Sequence, residues 1–340
     1  MSSLASIFAV TFPFFALVLC GYLGARSRVL PLEAVPGLNA FVLYFALPCM
    51  LFRFGSGTPL ARLFDPVVAL LWLGCGLGLV ALAVWWARRR GASWPDAAMG
   101  ALVAAFPNSG FMGVPLILAL LGEAAAGPVM ATLLVDLVVT TSVCIGLAHV
   151  GAAPGSGQGD GACAAVVRAL KGVLRNPMPW AILLGALAGW LELALWQPAA
   201  RVVHMLADAA SPTALFAIGA VLARSQMQVR MTEGGRVHAA PRGDVGAIVA
   251  AKLLLHPALV WGAGAAAVGA GGLAPGALAP LVLAAALPSA GNVTLLAERF
   301  GADNGRVARI ILWTTALAFV SFSAVVALLG EGGLGQPVRP

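Results

Sequence analysis

Apolar residues run along this chain in blocks of about 20, separated by short polar stretches. A helix of that length, rising about 1.5 Å per residue, spans the roughly 30 Å hydrocarbon core of a bilayer. Ten such blocks are legible: 5–24, 35–54, 66–87, 97–121, 128–149, 176–196, 201–223, 245–269, 278–299 and 307–329. Two longer polar stretches separate them. One covers 150–174 and carries Arg168 and Lys171, with Arg175 just beyond; the other covers 224–244 and carries Arg224, Arg230, Arg236 and Arg242.

The blocks repeat. Pro48-Cys-Met-Leu51-Phe52 in the second matches Pro212-Thr-Ala-Leu215-Phe216 in the seventh, at a spacing of 164 residues. The same spacing sets Gly21-Tyr-Leu-Gly-Ala in the first over Gly185-Ala-Leu-Ala-Gly in the sixth. Phe106-Pro107-Asn108-Ser109-Gly110 in the fourth matches Leu287-Pro288-Ser289-Ala290-Gly291 in the ninth, at a spacing of 181. The chain therefore reads as five spans, twice: 1–149, a polar loop 150–174, and 175–330. Five is odd, so the two halves point in opposite directions through the membrane, as in many secondary transporters. The fold expected is an all-α polytopic membrane protein of ten transmembrane helices in two inverted five-helix repeats.

The fourth and ninth spans are interrupted at their centres. Pro107, Asn108, Ser109, Gly110, Gly113 and Pro115 crowd the fourth; Pro288, Ser289, Gly291 and Asn292 crowd the ninth. Proline lacks the amide hydrogen and clashes with the preceding turn, and glycine loosens the helix further. Freed backbone groups in hydrocarbon are costly unless protein or a wetted cavity satisfies them. Each break also creates a half-helix N-terminus with free amides and partial positive charge, which favours an anion. Asn108 and Asn292 offer either amide donors to a carboxylate or a carbonyl to a cation, and Ser109, Ser289 and Thr294 add hydroxyls. An ordinary kink would explain either break alone; paired breaks in two inverted halves point to a binding site at the midplane.

Composition sharpens this picture. The chain is 61% hydrophobic and 10% charged, far below the roughly 25% charged residues of soluble domains. The net charge of +7 suggests no nucleic-acid partner, because 15 of the 20 Lys and Arg residues fall in the loops after odd-numbered spans. That bias places those loops in the cytoplasm and both termini outside. The first residues carry no basic stretch, which argues against a cleaved signal peptide. Cys20, Cys49, Cys75, Cys144 and Cys163 form no CxxC or Cys/His cluster, so neither a disulfide framework nor a metal site is expected.

Three ionisable residues lie deep in apolar spans. Asp136 is either a buried structural hydrogen-bonding group or a proton- or ion-coupling site. Lys252 either reaches back to the interface or pairs with Asp136 or a substrate carboxylate. His256, four residues on and on the same face, is either structural or a proton relay. His204 and Asp208 have the same spacing near the outer end of the seventh span and read as a capping or interface pair, not as substrate ligands. Gly74, Gly76 and Gly78 read as a close-packing face.

With these motifs in place, the chain resembles the auxin efflux carrier family, which includes bacterial malate and malonate permeases. Pro107-Asn-Ser-Gly-Phe-Met-Gly-Val-Pro115 and Leu287-Pro-Ser-Ala-Gly-Asn292 carry the resemblance, supported by Leu47-Pro48 through Phe52, Asn176-Pro177, and Lys252-Leu253 with Pro257. The resemblance implies that the two broken helices cross. It implies a scaffold of spans 1, 2, 6 and 7 and a moving transport domain of spans 3–5 and 8–10. It also implies a small organic anion as substrate and a homodimer. No ATP motif is present, so energy is expected from a substrate, H+ or Na+ gradient with no cofactor, and the apolar spans imply membrane lipid as surroundings. The long cytoplasmic loop of plant members is missing, which argues for a permease of a bacterial inner membrane and against auxin as substrate. On the same architecture, a sodium- or proton-coupled antiporter or a bile-acid-type symporter is the alternative. An intramembrane enzyme stands further off: no HExxH motif is present, and nothing marks Ser109 as an activated nucleophile.

Overall fold

The computed structural model describes residues 4–150, 176–232 and 242–331. The expected loop at 150–174 therefore lies almost wholly outside the described residues. The described chain is helical: α1 (Leu4–Arg26), α2 (Ala34–Gly57), α3 (Pro66–Arg89), α4 (Trp94–Ala105), α5 (Ser109–Leu121), α6 (Glu123–His149), α7 (Pro177–Trp190), α8 (Gln197–Thr232), α9 (Asp244–Gly269), α10 (Pro275–Ala286), α11 (Val293–Arg299) and α12 (Asn304–Glu331). Among the described residues seven helices are long and apolar enough to cross a membrane, and α5, α7 and α10 are shorter apolar helices.

Local chemistry sets several of the starts. Asp65 accepts from the amides of Val67 at 2.9 Å and Val68 at 3.3 Å, with Pro66 opening α3. Asn176 does the same for Met178 at 3.0 Å, ahead of Pro177. Ser93 accepts from Asp96 at 3.1 Å at the start of α4. In each case a polar side chain satisfies an amide that the first turn leaves orphaned. The polar stretch expected over 224–244 is in part helix, because α8 continues to Thr232.

The tightest packing is between α1 and α8 and between α2 and α7. A Cβ on Gly21 would overlap the carbonyl oxygen of Phe216, and one on Gly185 would overlap that of Phe52. A Cβ on Gly219 would overlap the carbonyl of Val18, and one on Gly55 would lie 2.8 Å from that of Ile182. Each contact converts into the other of its pair when its partners are shifted by 164 residues, the spacing of the sequence repeat. Small residues let helix backbones touch where no hydrophobic force drives helices together. The close-packing face expected on α3 is not there: a Cβ on Gly74 or Gly78 would meet nothing within 4 Å, and one on Gly76 only Thr140 at 4.0 Å.

Helices α4, α9 and α12 are tied at their starts by Arg306, which is only 3% exposed. Its guanidinium pairs with Asp244 at the start of α9 and donates to the Asp96 carbonyl in α4 at 2.9 Å. Asp96 accepts in turn from the Asp303 amide at 2.7 Å, ahead of α12. A Cβ on Gly100 would stand 2.8 Å from the guanidinium, so glycine makes room for it. Removing one partner of a buried pair leaves the other charge uncompensated. Arg306→Ala is therefore expected to destabilise the protein by about 3–5 kcal/mol. Thermal unfolding in detergent reads this, and an unchanged midpoint would contradict it.

Candidate binding site

The two interrupted segments cross and bond to each other. Between α4 and α5 the chain is extended at Phe106, and between α10 and α11 at Leu287. The Asn108 amide donates to the Pro288 carbonyl at 2.8 Å, and the Ala290 amide to the Phe106 carbonyl at 3.0 Å. Pro107 and Ser289 thus face each other in an antiparallel bridge. The repeat aligns Pro107 with Pro288, whereas the bridge pairs it with Ser289, one residue on; neither paired residue supplies an amide, so Pro107 costs the bridge nothing. The bridge satisfies much of the backbone that the prolines released.

Other released groups are also met. The Ser289 hydroxyl donates to the Val103 carbonyl at 2.7 Å, at the end of α4, and its amide donates to Thr314 of α12 at 3.3 Å. The Thr294 hydroxyl closes its own turn on the Gly291 carbonyl at 2.9 Å. Asn108, by contrast, is 3% exposed, and its Oδ1 has no hydrogen-bond partner. The same is true of the buried Ser109 hydroxyl and of Asn292 Oδ1. Asn108, Gly110 and Asn292 line one cavity with Pro107, Leu133 and Leu137. Its volume of about 10 Å³ is room for a single water, so the crossing is closed in this conformation. Buried polar atoms left unpartnered are costly unless something else engages them. They converge where half-helix α5 begins; of the three, only the Ser109 hydroxyl can donate to an anion, so an anion there would be met by that hydroxyl and the Nδ2 groups of Asn108 and Asn292, not by their oxygens.

A second polar cluster lies beside the first. Asp136 and Lys252 each sit in a π-helical turn, Asp136–Thr140 and Ala251–Leu255, and both are fully buried. Such turns are short and often mark functional positions. Asp136 Oδ1 accepts from Thr140 at 2.9 Å, while its Oδ2 has no partner. Lys252 Nζ donates to the Ala285 carbonyl at 3.1 Å and lies 3.0 Å from His256 Nδ1. Its cation thus sits at the C-terminal end of α10, where helix carbonyls are unpaired and the dipole favours positive charge. Trp72 packs its ring on His256, centroids 5.2 Å apart. No ion pair joins Lys252 to Asp136. Leu137, next to Asp136, and Ala285, held by Lys252, connect this cluster to the crossing.

The structure therefore brings Asn108, Ser109, Gly110 and Asn292 together and groups Asp136, Lys252 and His256 next to them. Ser289 and Pro288 serve the crossing itself, while Pro115 stands inside α5, away from it. The expected His204–Asp208 pair does not carry Asp208, which instead binds Arg53 of α2 at 2.6 Å. Arg306, Thr314 and Trp72 had no signal in the sequence, since each acts through partners distant along the chain.

A family model described as "Membrane transport protein" matches residues 6–156 and 164–326. A protein of Rhizobium meliloti (strain 1021) named "Putative malonate transporter" is 32% identical over 339 residues, which is 99% of this chain and 100% of its own. The "Uncharacterized transporter YfdV" of Escherichia coli (strain K12) is 25% identical over 314 residues, 91% of this chain and 92% of its own. A protein of the same name in Shigella flexneri matches to the same extent.

Proposed function

Because the chain belongs to the membrane transport protein family, the auxin-efflux-carrier-like group that its motifs resemble, we propose that it carries small carboxylate anions across a membrane by alternating access. The observation that carries this reading is the crossing, where two broken helices meet at buried polar atoms that the protein leaves unpartnered. A dicarboxylate would use the Asn108 and Asn292 amides, the Ser109 hydroxyl, and the backbone around Gly110 and Gly291. The name of the Rhizobium meliloti relative makes malonate the first substrate to test. The malonate in the name of the Rhizobium meliloti relative favours an anion carrier over a cation antiporter.

Ten membrane segments in two inverted repeats complete the proposal. It is supported by the exchanged glycine contacts 164 residues apart and by the antiparallel run of the two breaks. In this reading α1, α2, α7 and α8 form a scaffold, and α3–α6 with α9–α12 form the moving part. Both termini lie outside a bacterial inner membrane, as the distribution of basic residues argues. The moving part carries the crossing past the scaffold, and the closed cavity is an occluded stage of that cycle. Energy comes from a substrate, H+ or Na+ gradient, coupled through Asp136, Lys252 and His256. Asp136→Asn is expected to abolish the response of malonate uptake to an imposed H+ or Na+ gradient while malonate–malonate exchange continues. Proteoliposomes with defined internal and external buffers test this. Gradient-driven accumulation that survives the substitution would remove Asp136 from the coupling step.

A further inference from the structure

A second cavity lies away from the crossing. It is a groove of about 800 Å³ between α9 and α12, open along one side, with walls that include Val249, Leu254, Trp313 and Val320. Its walls are apolar, and Leu254, Trp313 and Val320 are each more than half exposed at 65%, 53% and 68%. At one end stands Arg309. Arg306, one turn earlier on α12, is consumed by Asp244 and Asp96; Arg309 makes no ion pair with any described residue. From Arg309 to Ser321, at the other end, is twelve residues of helix, about 18 Å. That is close to the roughly 15 Å of hydrocarbon in one leaflet. The floor at Gly246 is open, since a Cβ there would meet nothing within 4 Å.

We propose that this groove binds one anionic phospholipid of the cytoplasmic leaflet, with its phosphate on Arg309 and an acyl chain along α9 and α12. The argument is charge complementarity with matching length. A guanidinium without a partner needs an anion, and phosphate suits its planar fork. The apolar wall beyond it has the reach of a single leaflet. A soluble anion would use Arg309 but not the wall, and a neutral lipid would use the wall but not Arg309. The leaflet assignment rests on the orientation proposed above, whereas the site itself does not depend on what is transported. Because α9 also carries Lys252 in its π turn, a lipid seated here would press on the helix that holds the second polar cluster.

The test uses the full chain reconstituted in vesicles, with a phosphatidylglycerol and a phosphatidylethanolamine that each carry a diazirine in one acyl chain. After photolysis, adducts are mapped by peptide mass spectrometry. Phosphatidylglycerol adducts should concentrate on Val249–Leu254 and Trp313–Val320, exceeding phosphatidylethanolamine adducts about fivefold, the preference of one basic residue for an anionic lipid. Arg309→Gln should erase that preference, and Arg309→Lys should retain most of it. Adducts no denser in the groove than on the lipid-facing side of α1 would overturn the proposal. So would a preference unchanged by Arg309→Gln, or protein–protein cross-links showing the groove filled by a second copy or by residues 233–241. The readout involves no transport, so failure of the carboxylate assay leaves it standing.

Discussion

Asn108→Ala is expected to cut malonate uptake by roughly 10- to 100-fold, the loss when a hydrogen bond to a charged group worth about 1.5–3 kcal/mol is removed. Its effect on stability should be small or even favourable. Asn108 Oδ1 is buried and makes no hydrogen bond within the protein, so alanine loses no internal bond at that oxygen. The backbone bond from the Asn108 amide to Pro288 survives the substitution. That pairing of outcomes separates a binding role from a structural one: uptake falls while the thermal midpoint in detergent holds. A structural role would lower both together. Asn292→Ala should behave alike, for the same reason.

Gly219→Val should have the opposite signature. Its Cβ would overlap the Val18 carbonyl oxygen and stand 2.6 Å from the Tyr22 amide, and both are backbone atoms that no rotamer change can move aside. Helices α1 and α8 would have to separate, a case beyond the usual overpacking cost of about 1–3 kcal/mol. The variant is expected to be lost from the membrane fraction or to aggregate in detergent. Gly78→Val, in α3, is the control, because its Cβ would meet nothing within 4 Å. Gel-filtration profiles of the two variants against the parent decide the matter. A monodisperse Gly219→Val protein would mean that the α1–α8 contact is looser than the structure has it.

The breaks were legible in the sequence because Pro107 and Pro288 stand in clusters with Asn, Ser and Gly, whereas the isolated Pro13, Pro212 and Pro280 are carried inside α1, α8 and α10. The bridge between the breaks was not legible in its register. Aligning the repeats sets proline over proline, while the bridge pairs Pro107 with Ser289 through the amides of Asn108 and Ala290, a register that depends on how α4 and α10 approach and not on the motifs. Glycines misled on α3, and the close approaches at Gly55 and Gly219 had no signal, since a small residue marks close approach only where another backbone arrives, and arrival is a property of the fold. Hydropathy marked where the apolar block ends near residue 223 but not where α8 ends, because a helix can run on through polar residues to Thr232. The π turns at Asp136 and Lys252 had no pattern to read; a single inserted residue shifts the hydrogen bonding without altering the apolar run. Arg306 counted as one loop cation among several until three helix starts, distant in sequence, closed around it.

The most direct test of the account is counterflow. Proteoliposomes containing the purified protein are loaded with unlabelled malonate and diluted into a trace of labelled malonate, with no ion gradient. The account predicts transient accumulation of label above equilibrium, abolished by external excess malonate and by Asn108→Ala. Accumulation that is identical in Asn108→Ala, or absent for malonate and malate alike in a folded parent protein, would contradict a carboxylate site at the crossing.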